Sequence, residues 1–255
     1  MQLKNNFVDV ILPNFNKGNF IEEAINSIIK QSHKNWKLYI IDDCSSDHSI
    51  NIISNYEKLK NIFIIKLKKN KGPSFCRNLG VRISSSDYIS FIDSDDIWES
   101  NKLEHQLKFM IDNKYDFSYS DYTPIIQTKF EKKYLKKTNL KKSFKYNEFL
   151  LNSSINTSTS IITRKTIGVL KFKNINKLED YLFKCQILNK GIIANKVEGN
   201  LAYYRILKTS RSSQRIKNLF YLWSINRDYN NLNFFKNMIS IIMISLNSIK
   251  KYGFK

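Results

Sequence analysis

Tyr88-Ile89-Ser90-Phe91-Ile92-Asp93-Ser94-Asp95-Asp96 is an apolar run that ends in three carboxylates within four residues. Its first half reads as a strand buried on both faces. A strand that delivers three acids to one place concentrates negative charge, which is costly unless a cation neutralises it. Carboxylate oxygens are hard ligands suited to Mg²⁺ or Mn²⁺, ions that also bridge the oxygens of a diphosphate. The plainer alternative is a capped turn, in which Asp95 or Asp96 starts the next helix and the other acids are solvated.

The residues before this stretch decide what kind of sheet it belongs to. Val8-Asp9-Val10-Ile11-Leu12 is a strand stopped by Pro13, and Ile21, Ala24, Ile25, Ile28 and Ile29 recur at the spacing of one helix face. Leu38-Tyr39-Ile40-Ile41 is a second strand. It runs into Asp42-Asp43-Cys44-Ser45-Ser46-Asp47, a loop rich in helix-starting residues, followed by a helix carrying Ile50, Ile52, Ile53 and Tyr56. Ile62 to Ile65 is a third strand, and Gly72-Pro73 opens a helix through Phe75, Leu79 and Ile83, with Pro73 suited to its first turn. The order β-α-β-α-β-α-β predicts an α/β fold with a Rossmann-like, mostly parallel sheet and helices on both faces. Ligands of such sheets bind beyond the carboxyl ends of the strands. Both acidic groups, Asp42-Asp43 and Asp93 to Asp96, fall on that edge. No Gly-x-Gly-x-x-Gly or Gly-x-x-x-x-Gly-Lys loop occurs, so a diphosphate bound here would have to be held by metal and basic side chains.

Beyond Trp98, a helix with Leu103, Leu107, Met110 and Ile111 on one face leads to a strand at Phe117-Ser118-Tyr119-Ser120. The pattern loosens between residues 124 and 176, where Thr159-Ser160-Ile161-Ile162-Thr163 is the best strand. Glu179-Asp180 precedes Tyr181, Leu182 and Phe183 as acids at a helix start. From Ser212 onward the chain reads as helical. Phe235, Met238, Ile239, Ile242, Leu246 and Ile249 form an apolar face, suited either to docking on the domain or a twin subunit, or to lying in a membrane interface. His33, His48 and His105 match no motif and read as surface or helix residues.

Composition narrows the setting. With 255 residues and 42% hydrophobic content, the chain can build one substantial domain with an appendage. Cys44, Cys76 and Cys185 are odd in number and widely spaced, which gives neither a disulfide framework nor a zinc spacing and fits a reducing cytoplasm. Met1 to Asn6 lacks the apolar segment of a secretory signal, and no stretch approaches the roughly 20 apolar residues of a membrane span. The formal net charge is +20, and Lys129 to Lys145 holds eight lysines against the single Glu131. Such a field favours an anionic partner, although a lysine run can also be a solvated face.

The ordered set of motifs resembles glycosyltransferase family 2, the inverting sugar transferases with the A-type glycosyltransferase fold. The similar residues are Val10 to Asn16, Ala24 to Gln31, Ile41 to Asp47, Asn70-Lys71-Gly72-Pro73 with Arg77-Asn78, and Phe91 to Trp98; Asn156-Thr157-Ser158, Glu179-Asp180 and Tyr204-Arg205 continue the match. The resemblance implies that Asp43 holds the nucleotide base with Phe15 near it, and that Arg77 lies close to the base or diphosphate. Asp93 would touch the ribose or metal, and Pro13 and Ser94 would belong to the same nucleotide-sugar site. Asp95 would coordinate a Mn²⁺ or Mg²⁺ ion bridging the diphosphate, and Asp180 would be the general base. Asp96, Glu179 and Arg205 complete the candidate set. Relatives commonly have Gly at the position of Cys44 and a histidine shortly after the Tyr-Arg pair, where this chain has Leu207. The Gln-x-x-Arg-Trp element and membrane spans of processive polysaccharide synthases are missing, which implies transfer of single sugars.

The expectation is a catalytic domain over residues 1–210, with a nucleotide-sugar-binding half at 1–100 and an acceptor-side half at 101–210, followed by a helical extension at 211–255. Its activity would be metal-dependent, inverting transfer from a UDP-linked sugar to a glycan or lipid-linked glycan in bacterial lipopolysaccharide or surface polysaccharide synthesis. The enzyme would be cytoplasmic, in peripheral contact with an anionic membrane at its inner face, with room for a homodimer through the C-terminal helices and without specific nucleic-acid binding. The alternative is a non-catalytic basic binding protein on a decayed transferase fold.

Overall fold

Four parallel strands, the first two buried along almost their whole length, build the frame. The computed structural model describes residues 6–127, 131–207 and 215–252. β1 (Val8–Asn14), β2 (Trp36–Asp42), β3 (Ile62–Lys66) and β4 (Tyr88–Phe91) lie in the order β3-β2-β1-β4, all parallel. Leu38 and Ile40 of β2 join the main core with Ile25 and Ile28 of α1 (Ile21–Ile29). Tyr39 and Ile41, one residue out of phase, join a smaller cluster with Cys76 and Leu79 of α3 (Pro73–Ile83). Successive side chains of one strand thus meet helices on opposite faces. Gly80 lets α3 lie close to β1: a Cβ there would stand 2.5 Å from Ile11 Cγ2.

The chain builds outward from β1 through α1, β2 and α2 (Ser49–Ser54) to β3, and α3 then carries it back to β4 on the other side of β1. Strand order therefore reverses between β1 and β4, and a crevice opens at their carboxyl ends. The remaining strands extend the sheet to ten. β9 (Ile161–Thr163) runs antiparallel between β4 and β6 (Phe117–Gln127), β10 (Ala194–Ile206) is parallel to β6, and β5 (Ile97–Trp98) closes the edge antiparallel to β10. β7 (Lys132–Tyr134) pairs with β6 and β8 (Ser143–Phe144) with β10. The helices of this half are α4 (Lys102–Asn113), α5 (Tyr146–Leu150), α6 (Arg164–Ile167) and α7 (Glu179–Leu188), followed by α8 (Arg215–Asp228) and α9 (Phe234–Tyr252).

Several expectations are corrected. Asp95 and Asp96 do not cap a helix: β5 follows them and α4 begins at Lys102. Asp96 is fully buried rather than solvated. The strand at Phe117 runs on to Gln127. Thr159-Ser160 is not strand, because Thr157–Thr159 forms a 3-10 turn in which Asn156 accepts from Ser158 N and the Thr159 and Ser160 hydroxyls donate to Asn156 O. These local bonds satisfy the backbone without a ladder. His33 is neither exposed nor helical; it is buried, with Nε2 2.9 Å from Asn6 O.

The tail holds the largest surprise. α9 packs on the domain through Asn237 and Ser240, both buried, together with Ile241 and Ile244. The apolar stripe of Phe235, Met238, Ile239, Ile242 and Leu246 faces outward. The expected start of the extension, residues 211–214, lies outside the described residues. Among the described residues, no helix is long and apolar enough to cross a membrane.

Candidate active site

The crevice at the β1/β4 switch is a cleft of about 840 Å³. Pro13, Phe15, Asp43, Arg77, Asp93, Ser94, Asp95, Glu179, Asp180 and Arg205 all line it. Of the candidate site residues, Asp96 alone stands behind its wall. The segments that converge are the loops after β1, β2 and β4, the start of α3, the 3-10 turn, the start of α7 and the end of β10.

On the β2 side, the two consecutive aspartates have different tasks. Asp42 is buried and accepts from Asn14 Nδ2 at 2.7 Å, Ser45 Oγ at 2.6 Å and Ser45 N at 2.9 Å, so it holds the turn together. Asp43 faces the cleft. Its Oδ1 accepts from Lys71 N at 2.7 Å and its Oδ2 from Gly72 N at 2.8 Å, which draws the loop before α3 against the β2 loop. Gly72 has φ +83°, a conformation costly for residues with a Cβ. Cys44 turns the chain between them with φ +64°, so the tight turn expected of glycine is made here by a cysteine. Phe15 is 45% exposed and presents an apolar ring beside Asp43's loop.

The acids after β4 are each matched to a cation or donor. Arg77 is buried and bridges Asp93 at 2.8 Å and Glu179 at 3.1 Å. Burial disfavours its charge, but Asp93, Glu179 and Asp180 outweigh that and hold the guanidinium protonated. Asp95 pairs with Lys17 at 2.7 Å. Burial pushes the Asp95 carboxyl up, Lys17 opposes this, and Asp93 adds to it. Asp96 accepts from Ser158 Oγ at 2.5 Å and Arg205 N at 2.9 Å; burial, then Asp95 and Asp93, hold its carboxyl well above the usual range. It is a structural post that ties the β4 loop to the 3-10 turn and β10. Arg205 is buried too, donating through Nε to Asp95 O at 2.7 Å and through Nη2 to the half-exposed Glu23 at 3.2 Å.

Asp180, the second residue of α7, approaches from the far side. Its Oδ2 accepts from Thr157 Oγ1 at 3.0 Å and pairs with Lys184 at 2.8 Å. Burial raises its pKa, but Lys184, Arg77 and Thr157 together bring it well below the usual range. The side chain is still 36% exposed, so an ionised carboxylate is presented to the cleft.

No group of three or more His, Cys, Asp or Glu side chains suited to a metal occurs among the described residues. Leu207, where relatives carry a histidine nearby, is a buried apolar side chain. The donor set suits an Mg²⁺- or Mn²⁺-type ion held by one or two carboxylates and completed by a substrate's phosphates, not an all-protein cage. Asp95, part-buried at the cleft with a lysine as its present counter-charge, is the carboxylate that fits. Arg77 Nε and Arg205 Nη1 are buried without a hydrogen-bond partner, the guanidinium groups being held by their other nitrogens.

The family model for glycosyl transferase family 2 matches residues 9–172, which is more than half of the chain. This chain belongs to that family. Asp180 and Arg205 lie beyond the matched segment. TuaG of Bacillus subtilis, named for teichuronic acid biosynthesis, is 32% identical over 96% of this family 2 chain and 96% of its own length. A UDP-Glc:alpha-D-GlcNAc-diphosphoundecaprenol beta-1,3-glucosyltransferase, WfgD of Escherichia coli, is 30% identical over 97% of this chain and 95% of its own. Among solved structures, residues 1–349 of Staphylococcus aureus TarS superpose with a TM-score of 0.71 at 17% identity, covering 97% of this chain and 72% of that one, which shows the A-type fold. The chain is a glycosyltransferase with relatives in bacterial cell-surface glycan synthesis, and a purely non-catalytic basic module is set aside.

Three contributors were not singled out from sequence. Lys17 is 78 residues from Asp95, and Glu23 is 182 from Arg205, so nothing local announces either pair. Lys184 was within reach, since it stands four residues after Asp180 on one helix face.

Proposed function

We propose that this chain is an inverting, metal-dependent transferase that moves a single sugar from a UDP-linked donor to a lipid-linked glycan acceptor in bacterial surface polysaccharide synthesis. The observation that carries this is the convergence of Asp43, Asp95 and Asp180 on one cleft, with Lys17, Arg77 and Arg205 in its wall. Asp43, already clamped to Lys71 and Gly72, keeps lone pairs free for a base N–H. Asp93 and Ser94 line the same cleft and would hold the ribose and diphosphate of a bound nucleotide. A divalent ion on Asp95 would supply positive charge to the departing diphosphate, a large electrostatic contribution. Residues 1–100 would then serve the donor and residues 101–210 the acceptor.

Asp180 is the general base in this scheme. A hydroxyl entering from the α7 side would lose its proton to an already ionised carboxylate while it attacks the anomeric carbon, and the carbon–diphosphate bond breaks on the opposite face. One carboxylate suffices for a single displacement with inversion; the retaining route of glycosidases needs a second as nucleophile. The donor reading draws on relatives: TarS has been solved with UDP and with UDP-GlcNAc, and a Pyrobaculum calidifontis mannosyltransferase with GDP-Man and Mn²⁺. The lipid-linked acceptor is supported by WfgD and by WfaP of Escherichia coli, a second diphosphoundecaprenol-directed glucosyltransferase 34% identical over 83% of this chain.

Calorimetric titration of UDP tests the proposal. Binding in the presence of Mn²⁺ that is lost with chelator and in Asp95→Asn is the expected result. Absence of binding for UDP, GDP, CMP and dTDP alike, with or without metal, would overturn it.

A further inference from the structure

α9 is amphipathic in the reverse of the usual sense for a helix folded onto its own domain. Asn226 Nδ2 donates to Asn237 Oδ1 at 3.1 Å and to Ser240 Oγ at 3.0 Å, Asn237 Nδ2 donates to Trp223 O at 3.0 Å, and Ser240 Oγ donates to Leu150 O at 2.5 Å. These buried bonds set the rotation of the helix, because turning it to bury the apolar side would leave the whole polar cluster unpaired. On the opposite side Phe235, Met238, Ile239, Ile242 and Leu246 are between 41% and 69% exposed. Spaced i, i+3, i+4, i+7, i+11, they form one continuous stripe over about three turns. Single exposed apolar residues are ordinary; a stripe of this length marks a contact.

Charge selects the occupant. From Lys208 to Lys255 the chain carries nine Lys or Arg residues against the single acid Asp228, and Arg227 pairs with that acid. Lys217, Lys236 and Lys250 are exposed on the same two helices. Two copies packed stripe to stripe would bring these cations together, whereas an anionic lipid surface offers the complementary sign. A one-sided apolar stripe on a 19-residue helix belongs in the plane of an interface and not across a bilayer.

We propose that α9 seats the protein on an anionic phospholipid surface, its outward stripe entering the headgroup–acyl boundary while its polar side stays on the domain. The inference rests on the helix and not on the donor reading, although it would bring the cleft to the membrane where a lipid-linked acceptor resides. The test is flotation of the full chain with vesicles containing phosphatidylglycerol and with pure phosphatidylcholine vesicles. Wild type should float with the anionic vesicles and bind about ten-fold more weakly to the neutral ones; Ile239→Gln/Ile242→Gln/Leu246→Gln should lose about ten-fold or more, with lipid-free UDP binding unchanged. Wild type that stays unbound, or a triple variant that floats like wild type, would overturn the proposal. So would a wild-type dimer in sedimentation that the triple variant dissociates, since a second copy would then cover the stripe. Should the triple variant melt early, Phe235→Trp decides: quenching of its fluorescence by brominated lipid, above that of wild type, is expected, and flotation without quenching would refute the seating.

Discussion

A general base must be both ionised and able to take a proton, and at Asp180 the neighbours set the balance between the two. Lys184, Arg77 and Thr157 overcome burial and hold its pKa low. If it is the base, Asp180→Asn lowers kcat about 10²–10⁴-fold and leaves UDP affinity nearly unchanged, because the amide cannot accept the proton. Lys184→Met removes the largest stabilising charge, so the Asp180 pKa rises and the acidic limb of the pH–rate profile moves to higher pH. The same sign holds for stability: a depressed carboxylate contributes above its unfolded pKa, and that contribution is lost as pH falls through the folded value. Denaturant titrations of wild type and Asp180→Asn should therefore converge in acid. Cys44 poses a backbone question instead. A side chain at φ +64° costs roughly 1–2 kcal/mol, and glycine's extra unfolded-state entropy offsets about half of that. Cys44→Gly should gain about 0.5–1 kcal/mol and raise Tm by roughly 1–3 °C in calorimetry.

Elements in this protein owe their positions to a few close approaches. α3 reaches β1 because Gly80 has no Cβ; Gly80→Ala would place a carbon 2.5 Å from Ile11 Cγ2. Overpacking of that kind costs about 1–3 kcal/mol, and because α3 carries Arg77, donor binding should weaken together with stability. Adding Ile11→Ala should recover part of the loss, a non-additive double-mutant cycle in chemical denaturation. The same logic explains why the 3-10 turn replaces the expected strand. Its Asn, Ser and Thr side chains satisfy the backbone locally, and Ser158 is then free to hold Asp96 and to accept from Asp93 N at 3.0 Å. The β4 acids are therefore placed by a segment more than sixty residues later.

The whole molecule is a sheet whose strand order reverses once, and the cleft is where that reversal leaves room. Its two walls come from opposite halves of the chain: Lys17, Asp43 and Arg77 from one, Asp180 and Arg205 from the other. A nucleotide bridging them should stabilise both together. With UDP and Mn²⁺ at about 100 times Kd, linkage adds about 2.7 kcal/mol, which raises Tm by roughly 5–10 °C. Asp95→Asn should show no such rise in a thermal-shift measurement. Outside the cleft, Lys132 is anchored to Glu23 at 2.8 Å while Lys133, Lys136 and Lys137 are exposed. Only part of the lysine run is therefore committed within the protein.

The first hundred residues were legible because their signals are local: short apolar runs for strands, a 3.6-residue period for helices, and acids at the strand ends that the sheet rule places on the ligand edge. That much put Asp43 and Asp95 on one rim and gave the order of the elements. Which acid of each pair faces the cleft came from the family resemblance and not from local chemistry, since Asp42 and Asp43, or Asp95 and Asp96, are like neighbours of which one lines the cleft and the other is buried. Burial of Asp42 and Asp96 comes from Asn14, Ser158 and Arg205, partners that no local pattern announces. The tail stayed open between docking and a membrane interface for a related reason. Periodicity identifies an apolar face but not the side on which the rest of the chain lies, and in α9 a buried asparagine–serine cluster, formed only when α8, α9 and Leu150 meet, turned that face to the outside.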